Sequence, residues 1–207
     1  LDTSKYLNRI LEINWKDRTA RVEPGVVLDD LQQAVRPHNL VFGPDPATHN
    51  RCTFGGMIGN NACGVHSVTA GKTVDNVEEL EIVTYDGVTM RVGKTSEAEL
   101  EKIIREGGRR GEIYARLKEI RDQYAPLIRS KFPRIPRRVS GYNLDQLLPE
   151  NGFHVARALV GTEGTCVAIL EAKVKLISNP PARALLVLGY ADFFSAACRR
   201  LVAVVDP

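Results

Sequence analysis

Long apolar runs are missing from this 207-residue sequence. No stretch approaches the roughly 20 residues of a membrane span, so no transmembrane segment is expected. Charge of one sign is also scarce. Lys and Arg number 28 against 25 Asp and Glu, and a net charge of +3 is too small to argue for nucleic acid or a membrane surface. Aromatics make up 6%, and they do not interleave with basic residues in the stacking order a nucleic-acid channel needs. Of the cysteines Cys52, Cys63, Cys166 and Cys198, no two form a C-x-x-C pair, which argues against a sulfur-held metal. They read as small apolar filler, reduced rather than bridged. No G-x-G-x-x-G follows a first strand, so a Rossmann reading has little support. No signal peptide is visible, and the chain opens at Leu1 in mid-pattern, as a piece of something longer would.

What remains is an ordinary globular composition, 43% hydrophobic and 26% charged. A chain of this length buries about 70% of its unfolded surface without needing disulfides. Residues 10–13 and 19–22 flank a polar turn containing Trp15 and read as a hairpin. Leu28, Leu31 and Val35 have helical spacing, with Asp29 and Asp30 in the first turn and Pro37 at the end. A second hairpin is centred on Asp86-Gly87, the positive-φ pair of a tight turn. Ser96 and Glu99 make a capping box ahead of a helix. A further helix presents Ile113, Leu117, Ile120 and Tyr124 on one face and is disturbed at Pro126. Residues 129–153 are irregular and basic, with Arg129, Lys131, Arg134, Arg137 and Arg138 close together. Strands are expected at 155–160 and again through 167–177, then one strand at 184–190 and a helix capped by Asp192. Antiparallel strands with grouped helices give an α+β class, a mixed or antiparallel sheet flanked by helices.

Two stretches fit no regular element. The first is "CTFGGMIGNNACGVHS", residues 52–67, and the second is "GTEGT", residues 161–165. Gly55, Gly56, Gly59 and Gly64 remove side chains over ten residues and let a backbone approach a ligand closely. Thr53 is placed to cap a short helix whose bare N–H groups would suit an anion. Asn60 and Asn61 add amides that can donate and accept. Pro44 and Pro46 stiffen the approach, while Gly161 and Gly164 bracket Glu163 after a strand. Tight turns alone would account for one such cluster. Two such clusters, set side by side, would form a backbone-lined groove fitted to an extended nucleotide cofactor.

Taken together, "PDPAT" (44–48), residues 52–64, "AGKTVDNVEELEIVTYDG" (70–87) and "ARALVGTEGT" (156–165) closely resemble the PCMH-type FAD-binding domain of the vanillyl-alcohol oxidase kind. The nearest likeness is to FAD-linked oxidases and dehydrogenases of D-2-hydroxy acids such as D-lactate and D-2-hydroxyglutarate. Residues 132–153 resemble a segment of the long bacterial members with a C-terminal iron–sulfur region. The resemblance implies the second subdomain of that fold over residues 1–180, with the start of a cap or substrate domain at 181–207. It implies non-covalent FAD against Pro44, Asp45, Pro46, Thr53, Gly55, Gly56, Gly59, Asn60, Asn61, Ala62, Cys63 and Gly64. The second wall would be Gly161, Glu163, Gly164, Thr165 and Ile169. The implied activity is oxidation of a small 2-hydroxy acid to the 2-oxo acid by hydride transfer to flavin. Electrons would pass to an acceptor, with an iron–sulfur cluster and a metal ion in parts outside this chain. The expected location is cytoplasmic or peripheral at a membrane. Catalytic residues are not assigned, and His49 and His66 are not expected to bond flavin covalently. A non-catalytic binding module on the same fold is the alternative from another class. A reductase of a nucleotide-sugar enol ether is a third reading.

Overall fold

The computed structural model describes residues 2–135, 137–182, 184 and 187–194. Its centre is a five-stranded sheet, every pairing antiparallel, of β1 (Ile10–Asn14), β2 (Thr19–Val22), β6 (Val167–Lys175), β4 (Val77–Thr84) and β5 (Thr89–Val92) in that order. Strand β1 (Ile10–Asn14) turns into β2 (Thr19–Val22) at the expected hairpin. The second hairpin joins β4 (Val77–Thr84) to β5 (Thr89–Val92). Strand β6 (Val167–Lys175) enters late in sequence and takes the middle position. A two-residue strand β7 (Ile177–Ser178) then pairs with β3 (Leu40–Val41).

Alternation along these strands separates two faces. Ala20, Val22, Leu80, Ile82, Met90, Val92, Ala172 and Val174 are buried on one side. On the other, Arg21 meets Glu79 at 2.8 Å and Glu171 at 3.6 Å, and Arg91 meets Glu81 at 2.9 Å. The apolar face is covered by helices. Leu28, Leu31 and Val35 of α1 (Leu28–Val35) are fully buried, as the spacing required. Ser96 Oγ accepts the Glu99 N–H at 3.3 Å and starts α5 (Glu97–Glu106).

Two expectations are corrected here. The longest helix, Gly108–Lys131, continues past Pro126, and its buried residues are Gly111, Tyr114, Arg121 and Ile128. Ile113, Leu117 and Ile120 are only half-buried and Tyr124 is exposed, because the helix rolls Tyr114 inward to pack on Phe153 at 6.3 Å. The strand expected over 155–160 is a short helix, Val155–Leu159, in which the His154 ring caps the Arg157 N–H. Apolar runs of this length fit either element, and here the cap decides. The expected closing helix after Asp192, with Cys198, lies largely outside the described residues, as do Leu185 and Leu186 of the expected strand.

Three short helices lie between β3 and β4: α2 (Phe54–Gly59), α3 (Ser67–Ala70) and α4 (Thr73–Asn76). The helices after β5 are α5, α6 (Gly108–Lys131) and α7 (Val155–Leu159). The two glycine-rich stretches meet at the end of the sheet where β4 finishes and β6 begins.

Candidate functional site

The first glycine-rich stretch folds as α2 because its flanks hold it. Val27 and Thr53 form an isolated antiparallel bridge. The Phe54 N–H donates to Val26 O at 3.0 Å and the Gly55 N–H to Pro24 O at 2.7 Å. Thr53 Oγ1 faces the Gly56 N–H at 3.5 Å, a long cap. The bare N–H groups expected at this helix start are therefore absent, since the preceding loop has already taken them.

The second stretch is zipped directly to the first. The Gly161 N–H donates to Ile58 O at 2.8 Å, and the Glu163 N–H to Gly59 O at 3.0 Å. Two tyrosines hold its far side: Tyr85 Oη donates to Gly164 O at 2.7 Å, and Tyr142 Oη bonds Thr165 Oγ1 at 2.5 Å. From beneath, the buried Asn143 Nδ2 donates to Val160 O at 2.7 Å.

Between these loops runs a groove of about 680 Å³. Thr53, Gly55, Gly56 and Gly59 line it with Thr162, Glu163 and Gly164, and the ends of β4 and β6 complete it. Of the expected site residues, Ile169 also lines this groove. Pro44, Asp45, Pro46, Asn60, Asn61, Ala62, Cys63, Gly64, Gly161 and Thr165 do not. The Asp45 carboxylate accepts the His66 N–H at 2.9 Å and pairs with His66 Nδ1 at 2.5 Å. Asn61 is fully buried at φ 51°, with Oδ1 accepting the Val74 N–H at 3.0 Å. Sequence reasoning passed over Pro24, Tyr85, Leu159 and Thr162. Thr162 stands inside "GTEGT" and Tyr85 beside the Asp86-Gly87 turn, so both were within reach.

Comparison with known proteins agrees with this geometry. Residues 1–93 match the family described as "FAD binding domain". These residues belong to the FAD binding domain family. D-2-hydroxyglutarate dehydrogenase of Pseudomonas putida is 39% identical over 197 residues, 95% of this chain and 20% of that protein. D-2-hydroxyglutarate dehydrogenase of Escherichia coli (strain K12) is 34% identical over 100% of this chain and 20% of that protein. Glycolate oxidase subunit GlcD of Bacillus subtilis (strain 168) is 30% identical over 93% of this chain and 30% of that protein. A crystal structure of alkyldihydroxyacetonephosphate synthase superposes with TM-score 0.53 over 87% of this chain and 23% of that one. At 19% identity that likeness speaks for the fold alone. This chain spans about a fifth of the length of the dehydrogenases it matches.

Whether the FAD binding domain fits its cofactor here can be judged glycine by glycine. A Cβ on Gly55 would sit 2.9 Å from Pro24 Cβ, and one on Gly64 only 2.1 Å from Asp45 O. Internal packing explains those two. Gly56 and Gly59 are different. A Cβ on Gly56 would meet only Thr53 Oγ1 at 3.6 Å, and one on Gly59 only Glu163 Cα at 4.0 Å. Neither has a positive φ, yet both sit in a helix, where glycine costs about 0.5–1 kcal/mol relative to alanine. Nothing inside the chain requires them to be bare, and both line the groove. That arrangement fits a ligand that lies against the backbone.

The groove lining carries the carboxyl groups of Asp2 and Glu163 and no Lys, Arg or His. Val83, Leu159, Val167, Ala168 and Ile169 make much of the remainder. Such a surface suits flat rings and hydroxyl-bearing chains; it offers a pyrophosphate no counter-charge.

Away from the groove, two members of the basic run are ion-paired. Arg129 chelates Glu150 at 2.7 and 2.8 Å, which holds that carboxyl down at about 2, and Arg138 pairs with Asp145 at 2.5 Å. Trp15 is exposed and stacks on His38 at 6.1 Å. Cys52, Cys63 and Cys166 are free thiols, and burial pushes the Cys52 thiol up. Among the described residues no helix is long and apolar enough to cross a membrane.

Proposed function

We propose that this chain supplies one wall of the flavin site in an FAD-linked dehydrogenase that oxidises a D-2-hydroxy acid to its 2-oxo acid. The observation that carries this reading is the pairing of Gly161 with Ile58 and of Glu163 with Gly59, which joins two glycine-rich loops into one groove. The names of the relatives, D-2-hydroxyglutarate dehydrogenase and glycolate oxidase subunit, support the substrate class. When bound, the flavin supplies the two-electron oxidation chemistry.

The chain's own residues bind and orient. Gly56 and Gly59 admit the ligand against α2, and the apolar side chains of Val83, Leu159, Val167 and Ile169 exclude water from its ring faces. The Glu163 carboxylate is suited to accept hydrogen bonds from ribose or ribityl hydroxyls. Charge on the pyrophosphate would be met from outside this groove. Pro44–Pro46 and Asn60–Gly64 act one layer back, by fixing the loop that follows α2. Residues 1–180 form the FAD-binding part and 181–207 lead into a substrate domain. An electron acceptor, an iron–sulfur cluster and peripheral contact with a membrane would belong to the whole protein.

The test is FAD titration of the natural protein that carries these 207 residues, followed by flavin absorbance and fluorescence. Stoichiometric FAD that is weakened by Gly56→Val supports the assignment. A colourless protein indifferent to FAD overturns it.

A further inference from the structure

A second cleft, of about 690 Å³, opens at the other end of β4 and shares no lining residue with the groove. It lies among the start of β4, the end of β5, α5, α6 and the N-terminus of α7, and its lining is dense in charge. Three of those charged side chains are already matched by partners outside the lining. Glu79 pairs with Arg21 at 2.8 Å, Glu78 with Lys173 at 3.7 Å, and Arg91 with Glu81 at 2.9 Å. The Arg157 guanidinium donates to the carbonyls of Val77 at 3.0 Å and Asp75 at 3.1 Å, which leaves its charge without a carboxylate. Lys94 and Arg110 have no carboxylate within ion-pair distance among the described residues, and Glu99 is the one acid of the lining without a basic partner there. Positive charge is left in excess.

His154 stands in the same lining and is 6% exposed. Its Nδ1 accepts the Arg157 N–H at 3.4 Å, so the ring proton resides on Nε2. Among the described residues no side chain bonds that N–H. Burial, then Arg157 and Lys94, push the imidazole down to about 4, so it is a neutral donor at ordinary pH. The Tyr114 hydroxyl, also buried, lies beside the Thr95 and Arg110 side chains. The cleft therefore presents donors and surplus cations to whatever enters it, and a ligand must bring acceptor oxygens and negative charge.

We propose that this cleft binds a small oxyanion, a phosphate or carboxylate group, held by Lys94 and Arg110 with the Nε2–H of His154 as a neutral donor. The site is independent of FAD. It gives the protein a place where an anionic metabolite can bind without entering the groove.

The natural protein, with ring-labelled histidine, is titrated with sodium phosphate and separately with sodium succinate, at ionic strength held constant with sodium chloride. The expected result is a saturable shift of the His154 ring resonance with one of the two anions. Lys94→Ala and Arg110→Ala should each weaken it roughly two- to fivefold. Both side chains are exposed, so the fold should persist in either variant. Saturation by phosphate alone assigns a phosphate group, and by succinate a carboxylate. Shifts that grow linearly with both anions, or saturation unchanged in both variants, overturn the proposal.

Discussion

Gly56→Ala should move stability and cofactor affinity in opposite directions. The added methyl group would meet only Thr53 Oγ1, at 3.6 Å, an ordinary contact. Alanine in a helix is favoured over glycine by about 0.5–1 kcal/mol. For a chain of this size that raises the melting temperature by roughly 1–4 °C. The same methyl projects into the groove where a ligand is to lie against the backbone. Overpacking of that kind costs about 1–3 kcal/mol, a roughly five- to hundredfold loss of FAD affinity. Thermal unfolding of the apo form and FAD titration of the natural protein measure the two effects separately. A variant that melts lower would mean that internal packing requires the glycine. One that melts higher but binds FAD unchanged would mean that the ligand does not pass Gly56. Either result refutes the reasoning.

Gly64→Ala should behave otherwise, because its Cβ would sit 2.1 Å from Asp45 O. It should lose about 1–3 kcal/mol of stability, read as a lower denaturant midpoint. Tyr85→Phe removes the hydroxyl that donates to Gly164 O and keeps the ring. FAD affinity should fall by a few-fold, about 1 kcal/mol, with little change in melting temperature. His154 titrates at about 4 in the folded protein against an ordinary 6.5. Because its folded pKa is depressed, the unfolded chain binds the extra proton first as pH falls. Stability from this group is thus full above 6.5 and is lost between 6.5 and about 4. The loss is on the order of 2 kcal/mol once water in the adjoining cleft is discounted. His154→Gln should flatten that part of the stability–pH curve.

Much of the fold was legible because its signals are local. The Asp86-Gly87 turn, the Ser96 cap and the 28/31/35 spacing each name their element from a few neighbouring residues. The strand expected at 155–160 failed because VARALV is apolar enough for either element, and its helix depends on the His154 ring capping Arg157, a choice made in the fold. The helix expected to be disturbed at Pro126 continues past it, its C-terminal end held from outside by the buried Ile128 and by Arg129 on Glu150. In the candidate site, the two glycine clusters could be read from the sequence, but the job of each glycine could not. Gly55 and Gly64 serve Pro24 and Asp45, while Gly56 and Gly59 serve nothing inside the chain. The Oδ1 of the buried Asn61 accepts the Val74 N–H, a partner the sequence does not name. Such differences depend on which distant backbone lies opposite, and one chain read alone does not carry that.

The most direct test of the central claim is backbone hydrogen exchange on the natural protein with and without FAD. Joint slowing at residues 53–59, 83–85 and 159–169 is the predicted footprint. Saturable FAD binding that leaves both 53–59 and 159–169 unchanged would contradict the account.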